Sequence, residues 1–181
     1  GTPGSSSCIT CPAGQYQGAQ GMAACITCPG GQYQGAPGSS SCTVCVAGKY
    51  ALPGGGQTTC QTCAAGKYQG TPGSSSCITC PAGQYQGVEG MAACITCVAG
   101  KYQGTPGSSS CTDCPAGQYQ GGVGQASCIT CPAGQYQDTP GSSVCVGCIN
   151  IDHISTDAVL TCHSSTSSRI APGPSMSANF V

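Results

Sequence analysis

The sequence has no tryptophan, a single phenylalanine and two leucines in 181 residues. A chain of this length folding around one core would need large apolar side chains to fill it, and that inventory is missing. Charge is almost as scarce: four Lys or Arg and five Asp or Glu make 5% of the chain, against roughly 25% in an average soluble protein. A net charge of -1 provides no basic footprint for nucleic acid and no polybasic membrane anchor. No apolar run is long enough to span a bilayer. There is no Asn-x-Ser/Thr sequon, so N-linked sugars are not expected. The chain opens at Gly1 with neither an initiator methionine nor a signal peptide, as expected of a processed or partial chain.

What is abundant is cysteine, with 19 residues, together with 30 glycines and 13 prolines. That cysteine density is typical of a disulfide scaffold in an oxidising compartment, so an extracellular or cell-surface location is expected. CxxC pairs stand at Cys8/Cys11, Cys25/Cys28, Cys42/Cys45, Cys60/Cys63, Cys77/Cys80, Cys94/Cys97, Cys111/Cys114, Cys128/Cys131 and Cys145/Cys148. They recur every 17 residues, save one step of 18 from Cys42 to Cys60 that takes in the Gly54-Gly55-Gly56 run. Between pairs the chain reads Pro/Val/Ala, Ala/Gly, Gly, Gln/Lys and Tyr, then a turn segment and three small residues. The Gly recurs from Gly14 to Gly134 and the Tyr from Tyr16 to Tyr136. The Gly supplies a positive φ or a close backbone approach. The Tyr covers the neighbouring disulfide, or lines an edge that binds carbohydrate. Segments such as Thr71-Pro72-Gly73 and Thr105-Pro106-Gly107 are turn chemistry. A 17-residue unit cannot hide its apolar face alone. The expected fold is therefore a small disulfide-rich repeat protein: an elongated solenoid or rod of short β-ribbons and turns, with little or no helix.

Nineteen is odd, which bears on the pairing. Cys162 lies 17 residues after Cys145, but Ser165 stands where its mate would be. Bonds within each CxxC would leave Cys162 a free thiol kept in register. Bonds from the second cysteine of one pair to the first of the next would give Cys11–Cys25, Cys28–Cys42, Cys45–Cys60, Cys63–Cys77, Cys80–Cys94, Cys97–Cys111, Cys114–Cys128, Cys131–Cys145 and Cys148–Cys162. Only Cys8 would then be unpaired or linked upstream. The second scheme accounts for both ends, but spacing alone does not decide connectivity.

The run Cys114-Pro115-Ala116-Gly117-Gln118-Tyr119, followed by a Gly and a further CxxC, resembles the ephrin-receptor-like cysteine-rich repeat. It also resembles the first submodule of TNF-receptor ectodomains, in which a disulfide closes a loop beginning C-P-x-G-x-Y. The resemblance covers residues 8 to about 148. It implies an extracellular, elongated, all-β or irregular ladder and supports the second pairing scheme. Such repeats occur in receptor ectodomains and in surface proteins of protists and algae, so it fixes no function. Val46, Ala64 and Val98 depart from it at the Pro, and the last loop lacks the Gly and Tyr.

Alternate turn segments differ. One set reads GTPGSSS, GAPGSSS, GTPGSSS, GTPGSSS and DTPGSSV; the other reads GAQGMAA, ALPGGGQTT, GVEGMAA and GGVGQAS. A double period of about 34 residues follows, with one Ser/Thr-Pro-Gly edge and one partly apolar edge. The first is expected to carry O-linked sugar, with Thr2, Thr71, Thr105, Thr139, Ser5, Ser39, Ser74 and Ser108 as candidates. The second is expected to meet another copy of the chain. The organisation is thus repeats over 1–148, an atypical terminal repeat or cap over 149–162, and a Ser/Pro-rich tail or docking arm over 163–181.

Other chemistry is poorly served. Cys8-x2-Cys11-x13-Cys25-x2-Cys28 approaches a four-Cys zinc ribbon, but nine pairs do not divide evenly into four-Cys sites. A redox CxxC needs a βαβ frame that no segment suggests. His153 and His163 sit in the atypical end, and Glu89, Asp113, Asp138, Asp152 and Asp157 are scattered, so no catalytic residue, metal site or cofactor site is expected. Lys49, Lys67 and Lys101 replace Gln at one repeat position and decorate the surface. The composite expectation is a non-enzymatic structural subunit of an extracellular filament, surface coat or flagellar hair. It would self-assemble as a homopolymer, with no cofactor beyond possible O-glycans. The alternatives are a ligand-binding receptor ectodomain or surface antigen and, less simply, a zinc-binding CxxC repeat protein.

Overall fold

The computed structural model describes residues 9–19 and 22–148. The 149–162 cap, the 163–181 tail, Thr2, Ser5, Cys8 and Cys162 lie outside the described residues. Eight two-stranded antiparallel ribbons follow one another among the described residues, from β1 (Gln15–Tyr16) with β2 (Ile26–Thr27) to β15 (Gln135–Tyr136) with β16 (Val146–Gly147). Each strand is two residues long. The first carries the Gln/Lys-Tyr dipeptide, and the second consists of the two residues inside the next CxxC. Tyr16 therefore stands opposite Ile26, and Tyr85 opposite Ile95. The result is a rod-like, helix-free array of short ribbons.

The disulfides join the second cysteine of one pair to the first of the next: Cys11–Cys25, Cys28–Cys42, Cys45–Cys60, Cys63–Cys77, Cys80–Cys94, Cys97–Cys111, Cys114–Cys128 and Cys131–Cys145. Each closes one ribbon and its turn into a loop, and we number these loops 1 to 8. Cys148 is also disulfide-bonded. The second cysteine of each pair from Cys11 to Cys114 is at most 2% exposed, and apart from Ala51 these sulfurs make up the buried apolar interior. The core is a file of half-cystines, which is why the chain does without large side chains.

Consecutive loops are tied through the backbone. In loop 5 the Gly83 N–H donates to the Gln103 carbonyl (2.7 Å) and the Gln86 N–H to the Ser108 carbonyl (3.2 Å), while Gly107 N–H returns to the Cys80 carbonyl (2.9 Å). The first two bonds recur from loop 1 to loop 7, and the returning bond recurs in all of these but loop 2, which precedes the loop with the extra glycine. At the start of each loop a β-turn runs from residue 12 to 15 and its equivalents, closed for example by Lys49 N–H to the Val46 carbonyl (3.1 Å). The residue after the cysteine occupies the first position of that turn and contributes only its carbonyl. Pro is therefore not required there, which explains why Val46, Ala64 and Val98 fit a frame that elsewhere has Pro.

Candidate functional site

The recurring glycine shows how the array is layered. Gly31 has φ +80°, and a Cβ built on it would fall 1.8 Å from the Gly73 carbonyl oxygen, two loops ahead. Gly66 meets Gly107 and Gly100 meets Gly141 in the same way, which stacks loops 2, 4, 6 and 8 in one column. Gly14 meets Gly56, Gly48 meets Gly90 and Gly83 meets Gly124, which stacks loops 1, 3, 5 and 7 in a second. Backbone lies against backbone here, so any side chain at these positions is excluded sterically as well as by φ. The double period seen in the turn segments thus has a physical counterpart: loops that carry like turn segments lie against one another.

The two columns present different chemistry. The odd loops expose Met22, Leu52, Val88, Met91 and Val123, each at least 38% accessible. In the turn segments of the even loops (35–41, 70–76, 104–110 and 138–144) Val144 is the single large exposed apolar side chain; the rest is Thr, Pro, Gly, Ala, Ser and Asp138. In the even turns Pro followed by a positive-φ Gly (Gly38, Gly73, Gly107, Gly141) fits a type II turn. The next serine is part of the turn. Ser39 Oγ donates to the Ala36 carbonyl (2.9 Å), Ser74 to Thr71 (2.7 Å), Ser108 to Thr105 (2.8 Å) and Ser142 to Thr139 (2.9 Å). These serines are half-buried, and their carbonyls accept from the preceding loop. Thr71, Thr105 and Thr139 are exposed; Thr139 Oγ1 also donates to its neighbour Asp138 (3.2 Å).

One residue that sequence reasoning missed organises the turns of loops 2 and 4 to 8. The Gln after the Tyr folds its carboxamide into the loop. Gln86 Nε2 donates to the Ala93 carbonyl (2.7 Å), while its Oε1 accepts from Val88 N–H (3.0 Å). Gln34, Gln69, Gln103, Gln120 and Gln137 repeat both bonds. Gln86 is 1% exposed, so this is an internal strut despite its polarity. Ala51 replaces it only in loop 3, the loop with the extra glycine. That coincidence was the available signal.

Two equivalent grooves open on the surface. One, of about 330 Å3, is lined by Tyr33, Thr43, Val44, Val46, Lys49 and Thr59; the other, of about 300 Å3, by Tyr85, Ile95, Thr96, Val98, Lys101 and Ser110. Lys101 pairs with Asp113 across its ribbon (2.7 Å), whereas Lys49 faces Thr62. No group of three or more His, Cys, Asp or Glu suited to a metal occurs among the described residues. The cysteines a zinc ribbon would use from Cys11 onward are oxidised in disulfides, and so offer no thiolate. Among the described residues no helix is long and apolar enough to cross a membrane.

Comparison with known proteins agrees with this geometry. A family profile described as tyrosine-protein kinase ephrin type A/B receptor-like matches residues 2–45, 48–91, 66–114, 83–124 and 100–148. No curated protein matches the chain.

Proposed function

The chain belongs to the ephrin type A/B receptor-like family of cysteine-rich repeats, and from that premise we propose that it is a structural subunit of an extracellular filament, surface coat or flagellar hair. The coarser reading, an extracellular receptor-like or surface repeat domain, rests on the family and the disulfide ladder. The observation that carries the finer one is the stacking itself. Every loop from 1 to 6 is bonded to the next and pressed against the one after, with no break where a concave site would interrupt the array. Such arrays are linear, and their contacts are confined to near neighbours.

Assembly follows from the asymmetry of the columns. The odd column carries an apolar stripe with little charge beside it, and burying such a stripe against a second copy removes it from water. The even column stays in solvent and carries O-linked sugar on Thr71, Thr105 and Thr139. A sugar on Ser39, Ser74 or Ser108 would break the hydroxyl bond that shapes the turn.

Electron microscopy and sedimentation of the native, non-reduced chain test this. Lateral association is expected, and it should be lost when Met22, Val88, Met91 and Val123 are replaced by Ser, exposed positions whose change leaves the fold intact. Dispersed monomers from the unaltered chain would overturn the structural reading. Mass spectrometry of the same material should place sugar on the threonines; bare threonines would remove the glycan half. A second reading, a ligand-binding ectodomain or surface antigen, draws on the two grooves.

A further inference from the structure

The substitutions that set some units apart are coupled. Within loops 1 to 8, wherever Pro is replaced after the cysteine, Gln three residues on becomes Lys: Val46 with Lys49, Ala64 with Lys67, Val98 with Lys101. The turn tolerates the first change because that residue supplies only a carbonyl. Nothing in the repeat geometry requires the second. Where the replacement is Val, both members line a groove. Val46 and Val98 are 62% and 58% exposed, so neither serves the interior.

We propose that the groove formed by Tyr33, Val44, Val46 and Lys49 binds a pyranose ring carrying a carboxylate, the uronic-acid residue of an acidic polysaccharide. This does not depend on the assembly of the chain into filaments. The chemistry is complementary group by group. Tyr33 and the two valines offer an apolar wall for the ring face. Thr43 and Thr59 offer hydroxyls for the ring hydroxyls. Lys49 offers an ammonium to the carboxylate, and no carboxylate among the described residues pairs with it. A volume of about 330 Å3 lies at the small end of ligand clefts, suited to one or two rings rather than a folded partner.

The second groove is the built-in control. It has a comparable wall in Tyr85, Ile95 and Val98, with Ile95 and Thr96 where the first groove has Thr43 and Val44, but Asp113 holds Lys101 at 2.7 Å and has already taken the carboxylate's place. It therefore stays unoccupied until Asp113 is neutralised. At Lys67 the corresponding wall residues are Ala64 and Thr62, which leaves a cation without the apolar surface.

The test uses the full, oxidised chain titrated with oligogalacturonate, followed by amide and side-chain NMR shifts at Tyr33, Val46 and Lys49 and by calorimetric stoichiometry. One site per chain is expected. Lys49→Gln, the residue other repeats carry there, should weaken binding at least fivefold without altering the disulfides. Val46→Pro should do the same. Lys67→Gln should leave binding unchanged, and Asp113→Asn should raise the stoichiometry to two. The proposal is overturned if Lys49→Gln titrates like the parent, or if Lys67→Gln weakens binding equally. It is also overturned if the uncharged galactose oligomer binds as well, or if polyglutamate does, since charge alone would then account for the affinity.

Discussion

Gln86 carries more of the turn architecture than its chemistry suggests. Its carboxamide is both donor and acceptor within one loop, closing a turn through part-buried bonds to the Ala93 carbonyl and the Val88 N–H. Gln86→Ala should therefore destabilise the oxidised protein by about 1–3 kcal/mol, measured from denaturant midpoints with the disulfides intact. Gln103 makes the same bonds at a more exposed position and should matter less on the same substitution. The serines after Pro-Gly tell a related story. Their hydroxyls look like free acceptors for sugar in the sequence, yet each is already donating to a carbonyl three residues back.

At the scale of the element, the loop and its staple are the unit of stability. The Cys80–Cys94 bridge spans 14 residues, and closing a loop of that size contributes about 3 kcal/mol on the chain-entropy model. Replacing both cysteines with Ser should lower stability by about that much. The damage should stay local. Hydrogen exchange is expected to accelerate in β9 (Gln84–Tyr85), β10 (Ile95–Thr96) and the loops that touch them, while β1 and β2 keep their protection. Uniform loss of protection along the array would show that loops cooperate over longer distances than their contacts imply.

Much at this scale was legible in the sequence. The repeat step, the Gly two residues before each Tyr and the parity of the cysteines pointed to stapled ribbons, and the family resemblance favoured the pairing observed. The alternation of turn segments also pointed to two edges, and the Gly31–Gly73 type of contact supplies their physical basis. Other features were hidden for physical reasons. A two-residue strand inside CxxC is too short to show a period, so nothing marked Ile26–Thr27 as a return strand. A glutamine is ordinarily a solvent-facing residue, so nothing marked Gln86 as interior. The grooves depend on residues from adjacent loops, and Lys49 and Lys101 differ in what faces them across the ribbon, Thr62 against Asp113.

For the whole molecule, the scarcity of charge sets the response to the medium. With 5% charged residues and the exposed Lys101–Asp113 pair as the ion pair seen among the described residues, salt has little to screen. The midpoint of thermal unfolding of the oxidised chain should shift by no more than a few degrees between 50 mM and 1 M sodium chloride. A large shift would reveal an electrostatic contribution absent from this account. Reductant, by contrast, should abolish the transition, because the buried interior consists of half-cystines.

The staples also bear on how the array answers a pull along its length. Each bridge closes within its own loop, so tension applied at the two ends passes through the sulfurs and bypasses the residues between them. The path left per unit is one bridge, with Cα atoms 5.8 Å apart at Cys80–Cys94, plus the short CxxC link, together about 16 Å even when taut. An unstapled stretch of 17 residues would pay out to about 58 Å. The oxidised array is therefore a cord with a low ceiling on its extension, and the redox state of its surroundings determines how far it can stretch.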